Sequence, residues 1–403
     1  MASLEKSGSL AYMRSFLSVV LIACCIVLSV LLIAEVVARV LEPEIKSWGA
    51  DGFDYDPILG WLPKVGKSSV KADEYSASYE VNSYHMNDRP IDDSLGKVGT
   101  RILALGDSHT FAVGVSQEEA WPNVLEQLLF KGNRYDGEVY NAGVAGYSLG
   151  QYLLRFRSLA EIIRPHIVII GFSSATDVYD LIPPSHGGFV YVSYAGRTYF
   201  DLDDQGELIE TAWVERKNVL DPKAGIEMDF SSRARALLGR FALYRRFKKS
   251  KLAFWIAQNL QPNGRSLWSG TDTALKKDLN SEDLYRWALA EKIIQQIALE
   301  AHQIGARTML VHIPYLAQVY DEIWEISFGK SPAHDRWVVG ERLAKICEKS
   351  RIEFVDLTPQ FVKLARQGKK LHYPYDGHPN SDGHRLIADV VAKAVHDRFL
   401  ITR

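Results

Sequence analysis

Three apolar runs, each breaking into a small or polar turn, constrain this chain more than any other feature. Ile102–Leu105 ends at Gly106 in Asp107-Ser108-His109-Thr110, and Glu118–Leu129 then carries Trp121, Val124, Leu125 and Leu128 at helical spacing. Gly137–Asn141 runs into Ala142-Gly143-Val144-Ala145-Gly146-Tyr147-Ser148 and a helical stretch over about Leu149–Ile163. His166–Phe172 opens into Ser173-Ser174-Ala175-Thr176-Asp177-Val178. Short, continuously apolar runs of this kind read as strands buried on both faces. Strands alternating with helices in this way predict an α/β fold, a three-layer parallel sheet with right-handed crossovers and helices on both faces. A serine where such a strand gives way to a helix sits at the carboxyl edge of the sheet, where ligands bind.

The rhythm is interrupted over about 181–280 and then resumes. Within the interruption, Phe189–Tyr194 and Arg197–Leu202 alternate around Ala195-Gly196 and read as a hairpin. Ser232–Asn259 reads as a helix with a basic cluster (Arg240, Arg245, Arg246, Lys248, Lys249, Lys251). The cluster is taken as a solvated face, the alternative being a surface for anionic headgroups or an acidic glycan. From Ser281, read as an N-cap, a long helix runs to Gly305. Arg307–Ile313 follows as a strand, Arg336–Lys349 as a helix, Ile352–Leu357 as a strand and about Arg385–Phe399 as a last helix.

The N-terminus is of another kind. Ser15–Ala34 carries no charge, and twenty residues at 1.5 Å span about 30 Å, the thickness of a bilayer's hydrocarbon core. A transmembrane helix is expected over 15–38, after a cytoplasmic tail at 1–14. Lys6 and Arg14 precede the span, whereas Glu35, Arg39, Glu42 and Glu44 follow it, which favours a single-pass chain with its body outside the cytoplasm, periplasmic if bacterial. No A-x-A site follows, and apolar residues continue ten positions past the lipoprotein-box-like Leu21-Ile22-Ala23-Cys24, so an intact anchor is the expectation. Residues 41–100 read as a lead-in, with a strand at Ala77–Val81, packing beside the active-site edge of a domain over 101–403. A net charge of −2 gives no reason to expect nucleic acid, and the three cysteines form neither a disulfide framework nor a metal-ligand pattern. The partners expected are the bilayer and an acylated substrate. The sequence assigns no metal, cofactor or protein partner.

An aliphatic hydroxyl becomes a nucleophile only when a base takes its proton, and that base needs a carboxylate to fix its tautomer. Ser108 is the candidate nucleophile. Asp376 and His378, two apart in the loop Tyr373-Pro374-Tyr375-Asp376-Gly377-His378-Pro379-Asn380, supply the pair. His384 is expected to be only a helix N-terminal residue. Backbone N–H groups at Ser108 and Gly146, with a side chain after the third strand, are candidates for an oxyanion hole.

These residues resemble the GDSL-type, or SGNH, hydrolases in four blocks taken in order. Gly106-Asp107-Ser108-His109-Thr110 is similar to the nucleophile block, with His109 in place of leucine. Asn141-Ala142-Gly143-Val144-Ala145-Gly146 is similar to the second block, placing Gly146 at the oxyanion. Ser174-Ala175-Thr176-Asp177 stands where the third block reads Gly-x-Asn-Asp, and Asp376-Gly377-His378-Pro379-Asn380 is similar to the last. The resemblance covers roughly 100–180 and 281–400 and implies a flavodoxin-like layered fold. It also implies a triad of Ser108, His378 and Asp376, oxyanion groups at Ser108, Gly146 and Thr176, and supporting roles for Asp107, Asp177 and Asn141. Two departures stand out: Thr176 replaces the family's asparagine, and the usual Asp-x-x-His is shortened to Asp376-x-His378. That spacing resembles membrane-anchored members acting on envelope polysaccharides, O-acetyltransferases among them. A membrane-anchored serine esterase acting on O-acyl, chiefly O-acetyl, groups of an envelope glycan or lipid is the leading expectation. The alternatives are an O-acyltransferase and, because of Thr176, an inactive glycan-binding module.

Overall fold

The computed structural model describes residues 2–40, 52–72, 74–91, 99–132, 135–174, 176–181, 197–213, 274–329 and 331–400. Of one unit the described residues form a single helix, α1 (Ala2–Val40). Its stretch Ser18–Ala38 has a mean hydropathy of 3.0 and is long and apolar enough to cross a membrane. The helix exceeds the expected span at both ends, because no proline interrupts the chain before Pro43. The expected tail is thus helical from Ala2.

The other unit opens with two antiparallel hairpins, β1 (Phe53–Asp56) with β2 (Gly60–Pro63) and β3 (Gly66–Lys71) with β4 (Ser76–Val81). The chain then lays down β5 (Thr100–Gly106), the single turn α2 (Ser108–Phe111), α3 (Trp121–Phe130), β6 (Gly137–Asn141), α4 (Leu149–Ile163) and β7 (Ile167–Ser173). A hairpin of β8 (Arg197–Leu202) and β9 (Leu208–Trp213) follows. The last part comprises α5 (Ser281–Gln303), β10 (Arg307–Ile313), α6 (Leu316–Val319), α7 (Asp321–Ser327), α8 (Val338–Ser350), β11 (Glu353–Asp356), α9 (Thr358–Arg366) and α10 (Ser381–Val395).

The central sheet has the order β11-β10-β7-β5-β6, with every pair parallel. Counted along the sheet's own strands this is 2-1-3-4-5, the flavodoxin-like order, whose switch point lies between β5 and β7. Strand alternation splits the core. Ile102, Ala104, Ile167, Ile169, Met309 and Val311 face the layer holding α3 and α10, whereas Leu103, Leu105, Val168, Ile170 and Leu310 face α4, α5 and α8. Burial on both faces explains why these strands read as unbroken apolar runs. Cys347 is a core residue of α8, and burial pushes its thiol up to about 12.

At the switch point Gly106 and Gly171 lie side by side in the β5–β7 register, with Thr110 seated over both. A Cβ on Gly106 would come within 2.0 Å of Thr110 Oγ1, and one on Gly171 within 2.4 Å. The two glycines therefore let α2 pack directly on the strand ends. Gly106→Ala is expected to cost roughly 2–4 kcal/mol in urea unfolding, because fully packed neighbours would have to move.

Two sequence readings need correction, the starts of α5 and α10. β8 pairs with β9 across Asp203–Gly206, and the hairpin expected between it and Phe189–Tyr194 lies outside the described residues. At the β8–β9 turn Asp203 Oδ1 accepts the N–H groups of Gln205 and Glu207, and Gly206 takes φ +76°. The cap of α5 is Asn280, whose Oδ1 accepts the Asp283 N–H at 2.8 Å, rather than Ser281. α10 starts at Ser381, capped by Asn380. The basic stretch Ser232–Asn259 lies outside the described residues.

Candidate active site

Ser108 is the first residue of α2, where an N–H has no intrahelical acceptor. The cap is the preceding residue: Asp107 Oδ1 accepts the His109 N–H at 2.8 Å. Asp376 and His378 arrive in the loop before α10, reversed by Gly377 at φ +87°. The pieces meet. The Ser108 hydroxyl lies 2.8 Å from His378 Nε2, and His378 Nδ1–H donates to Asp376 Oδ1. With that proton held on Nδ1 by the carboxylate, Nε2 carries the lone pair and accepts the serine proton. Serine, imidazole and carboxylate, 270 residues apart at the extremes, thus form one hydrogen-bonded chain at the carboxyl edge of the sheet.

Thr176 stands beside Asp107: its hydroxyl donates to Asp107 Oδ2 at 2.9 Å. Asp107 also lies 3.2 Å from His109 Nδ1, and the His109 ring packs 5.1 Å, centroid to centroid, from that of His378. Asp177 locks the turn after β7: its Oδ2 accepts the Ser173 N–H at 2.7 Å and its Oδ1 the Tyr152 hydroxyl at 2.6 Å. Asn141 Oδ1 accepts the Gly143 N–H at 3.2 Å, tightening the turn toward Gly146, while its own N–H donates to the buried Asp88. Gly146 has φ +81°, and a Cβ there would lie 3.2 Å from Trp61. His384 is no bystander. It is fully buried, and its Nδ1 accepts the Trp121 N–H at 3.3 Å, tying α10 to α3; burial pushes its imidazole down to about 3.

The lead-in packs against this edge at both blocks. From β2, Trp61 Nε1–H donates to Ala145 O at 3.0 Å beside Gly146, and the Tyr147 hydroxyl donates back to Trp61 O. At the β3–β4 turn, Glu74 and Tyr75 contact the loop of Asp376. Nothing in the sequence pattern marks Trp61, Glu74 or Tyr75. Each is a single residue whose partner lies 84 to 302 positions away.

No protein-family model and no curated protein match the chain. Solved structures similar to it include the psychrotrophic esterase EstA from Pseudoalteromonas sp., at 15% identity over 74% of this chain and 98% of that one, with a TM-score of 0.35. The acetyl xylan esterase AlAXEase is similar at 15% identity over 73% and 99%, with a TM-score of 0.38. A member of the lipolytic G-D-S-L family from Veillonella parvula is similar at 11% over 75% and 99%, with a TM-score of 0.35.

The electrostatics favour a charged pair. Burial opposes the charge on Asp376, but the hydrogen bond and charge of His378, with the Tyr75 hydroxyl, hold its carboxyl below the usual carboxylate range. Burial also opposes protonation of His378. The hydrogen bond and charge of Asp376, and the charge of Asp107 behind it, win and hold the imidazole above its ordinary value. A base must be neutral to accept the serine proton, so kcat/KM on a neutral ester is expected to fall as pH drops through that raised value. The acidic limb of the profile should have its midpoint above about 6.5.

Proposed function

We propose that this protein is a membrane-anchored serine esterase of the GDSL type, acting on O-acyl esters of a cell-envelope glycan or lipid. The hydrogen-bonded chain Ser108–His378–Asp376 carries the reading. A serine placed only for structure has no need of a histidine whose second nitrogen is held by a carboxylate.

In the reaction, Ser108 Oγ attacks the ester carbonyl while its proton passes to His378 Nε2. The tetrahedral intermediate collapses as His378 returns that proton to the leaving alcohol, giving an acyl-enzyme and a free alcohol. Water, deprotonated by the same nitrogen, releases the acid and restores Ser108. Asp376 holds the imidazole's tautomer and stabilises its cation. The Ser108 and Gly146 amides are the oxyanion donors, and Asp107, through its contacts with the His109 N–H and Thr176, shapes the turn that presents the first of them. The apolar stretch Ser18–Ala38, with basic residues before it and acidic ones after it, supports an anchor that leaves the catalytic body outside the cytoplasm. The shortened Asp376-x-His378 spacing supports the glycan-ester class.

The test is turnover by the full chain in detergent across p-nitrophenyl acetate, longer acyl esters and an O-acetylated polysaccharide. Steady release with water as acceptor is expected, fastest with acetyl. A burst without turnover, relieved by an added sugar hydroxyl, would make the protein an acyltransferase. Neither burst nor turnover on any ester would leave a binding module.

A further inference from the structure

The catalytic acid sits on a loop reaching the surface, and a carboxylate orients a histidine only as well as it is itself held. Three contacts from the β3–β4 turn hold it. The Glu74 carboxylate accepts the Asp376 N–H at 2.7 Å and the Tyr375 N–H at 3.1 Å, and the Tyr75 hydroxyl donates to Asp376 Oδ2 at 3.4 Å. The grip extends to the nucleophile's side. Tyr75 packs on Tyr373 with ring centroids 5.1 Å apart, and the Tyr373 hydroxyl donates to Gly114 O at 2.9 Å. The Gly114 N–H in turn donates to Tyr79 on β4 at 3.0 Å. One hairpin thus holds both the loop carrying the acid and the segment just after α2.

We propose that Glu74, seconded by Tyr75, is a positioning residue for the catalytic acid, fixing Asp376 against His378. Hydrogen bonds from backbone N–H groups to a carboxylate are about twice as strong as neutral ones, which suits the task of pinning a loop. Each carboxylate keeps its own donors: two N–H groups for Glu74, and the His378 Nδ1–H, the His378 backbone N–H and the Tyr75 hydroxyl for Asp376.

This inference rests on the esterase reading, and the experiment separates the two. Steady-state kinetics of the full chain on p-nitrophenyl acetate are compared for wild type, Glu74→Ala, Glu74→Gln, Asp376→Asn and Glu74→Ala/Asp376→Asn. Glu74→Ala is expected to lower kcat roughly ten- to a hundredfold with KM unchanged. Glu74→Gln, which keeps one acceptor oxygen, should recover much of that loss. In the Asp376→Asn background Glu74→Ala should cost nothing more, because its effect runs through the acid. Equal kcat in wild type and Glu74→Ala, or losses that multiply in the double variant, would overturn the positioning role. A wild type without esterase activity or a burst would overturn the esterase reading itself and this inference with it.

Discussion

Ser108→Ala is expected to lower kcat/KM on p-nitrophenyl acetate by on the order of a millionfold, the loss that follows removal of a triad nucleophile. The residual rate should exceed that of water by about 10³–10⁴, since binding and the backbone donors are untouched. The fold should survive. The α2 cap bond belongs to Asp107, and Thr110 still seats the turn on Gly106 and Gly171, so thermal unfolding should be nearly unchanged. His378→Ala should cost about as much, and the double variant little more, because the two act as one unit. A Ser108→Ala protein that turns over like wild type would place the chemistry elsewhere.

Asp376→Asn carries the second large effect, about 10⁴ in kcat. The carboxamide keeps the shape, and the Glu74 contacts, made to backbone N–H groups, remain. What changes is the histidine. An asparagine N–H pointed at His378 Nδ1 moves the ring proton to Nε2, which can then no longer accept from Ser108. The pH profile supplies a second sign. The hydrogen bond and charge of Asp376 are what raise His378 against the pull of burial, so without them the imidazole falls. The acidic limb should therefore move to lower pH even as the plateau drops. A variant that loses rate with the limb in place would mean that Asp376 acts sterically alone.

Three of the site blocks could be read because each pairs a local pattern with a local structure, an apolar run that must be a strand and then a turn whose residue types are chemical, whereas the block of Asp376 and His378 lies in a loop between two helices and was read from its residue types alone. The parallel sheet covered on both faces followed from the same alternation, with Ile102 and Leu103 facing opposite layers as a period of two requires. Two kinds of feature could not be read this way. One is the setting of a substitution: Thr176 reads as a short stand-in for an oxyanion donor, and the turns after β5 and β7 also bring it to Asp107, which only their packing reveals. The other is the lead-in. Trp61, Glu74 and Tyr75 lie in a stretch whose pattern announces one strand, Ala77–Val81, and their partners come from the other end of the chain or from across the sheet edge.

The arrangement of Ser108, His378 and Asp376 as a working triad is tested most directly by reacting the full chain with a fluorophosphonate and mapping the product by mass spectrometry. One adduct on the peptide carrying Ser108 is expected, absent from Ser108→Ala and greatly slowed in His378→Ala. A folded wild type that takes no adduct, or an adduct that persists in Ser108→Ala, would contradict it.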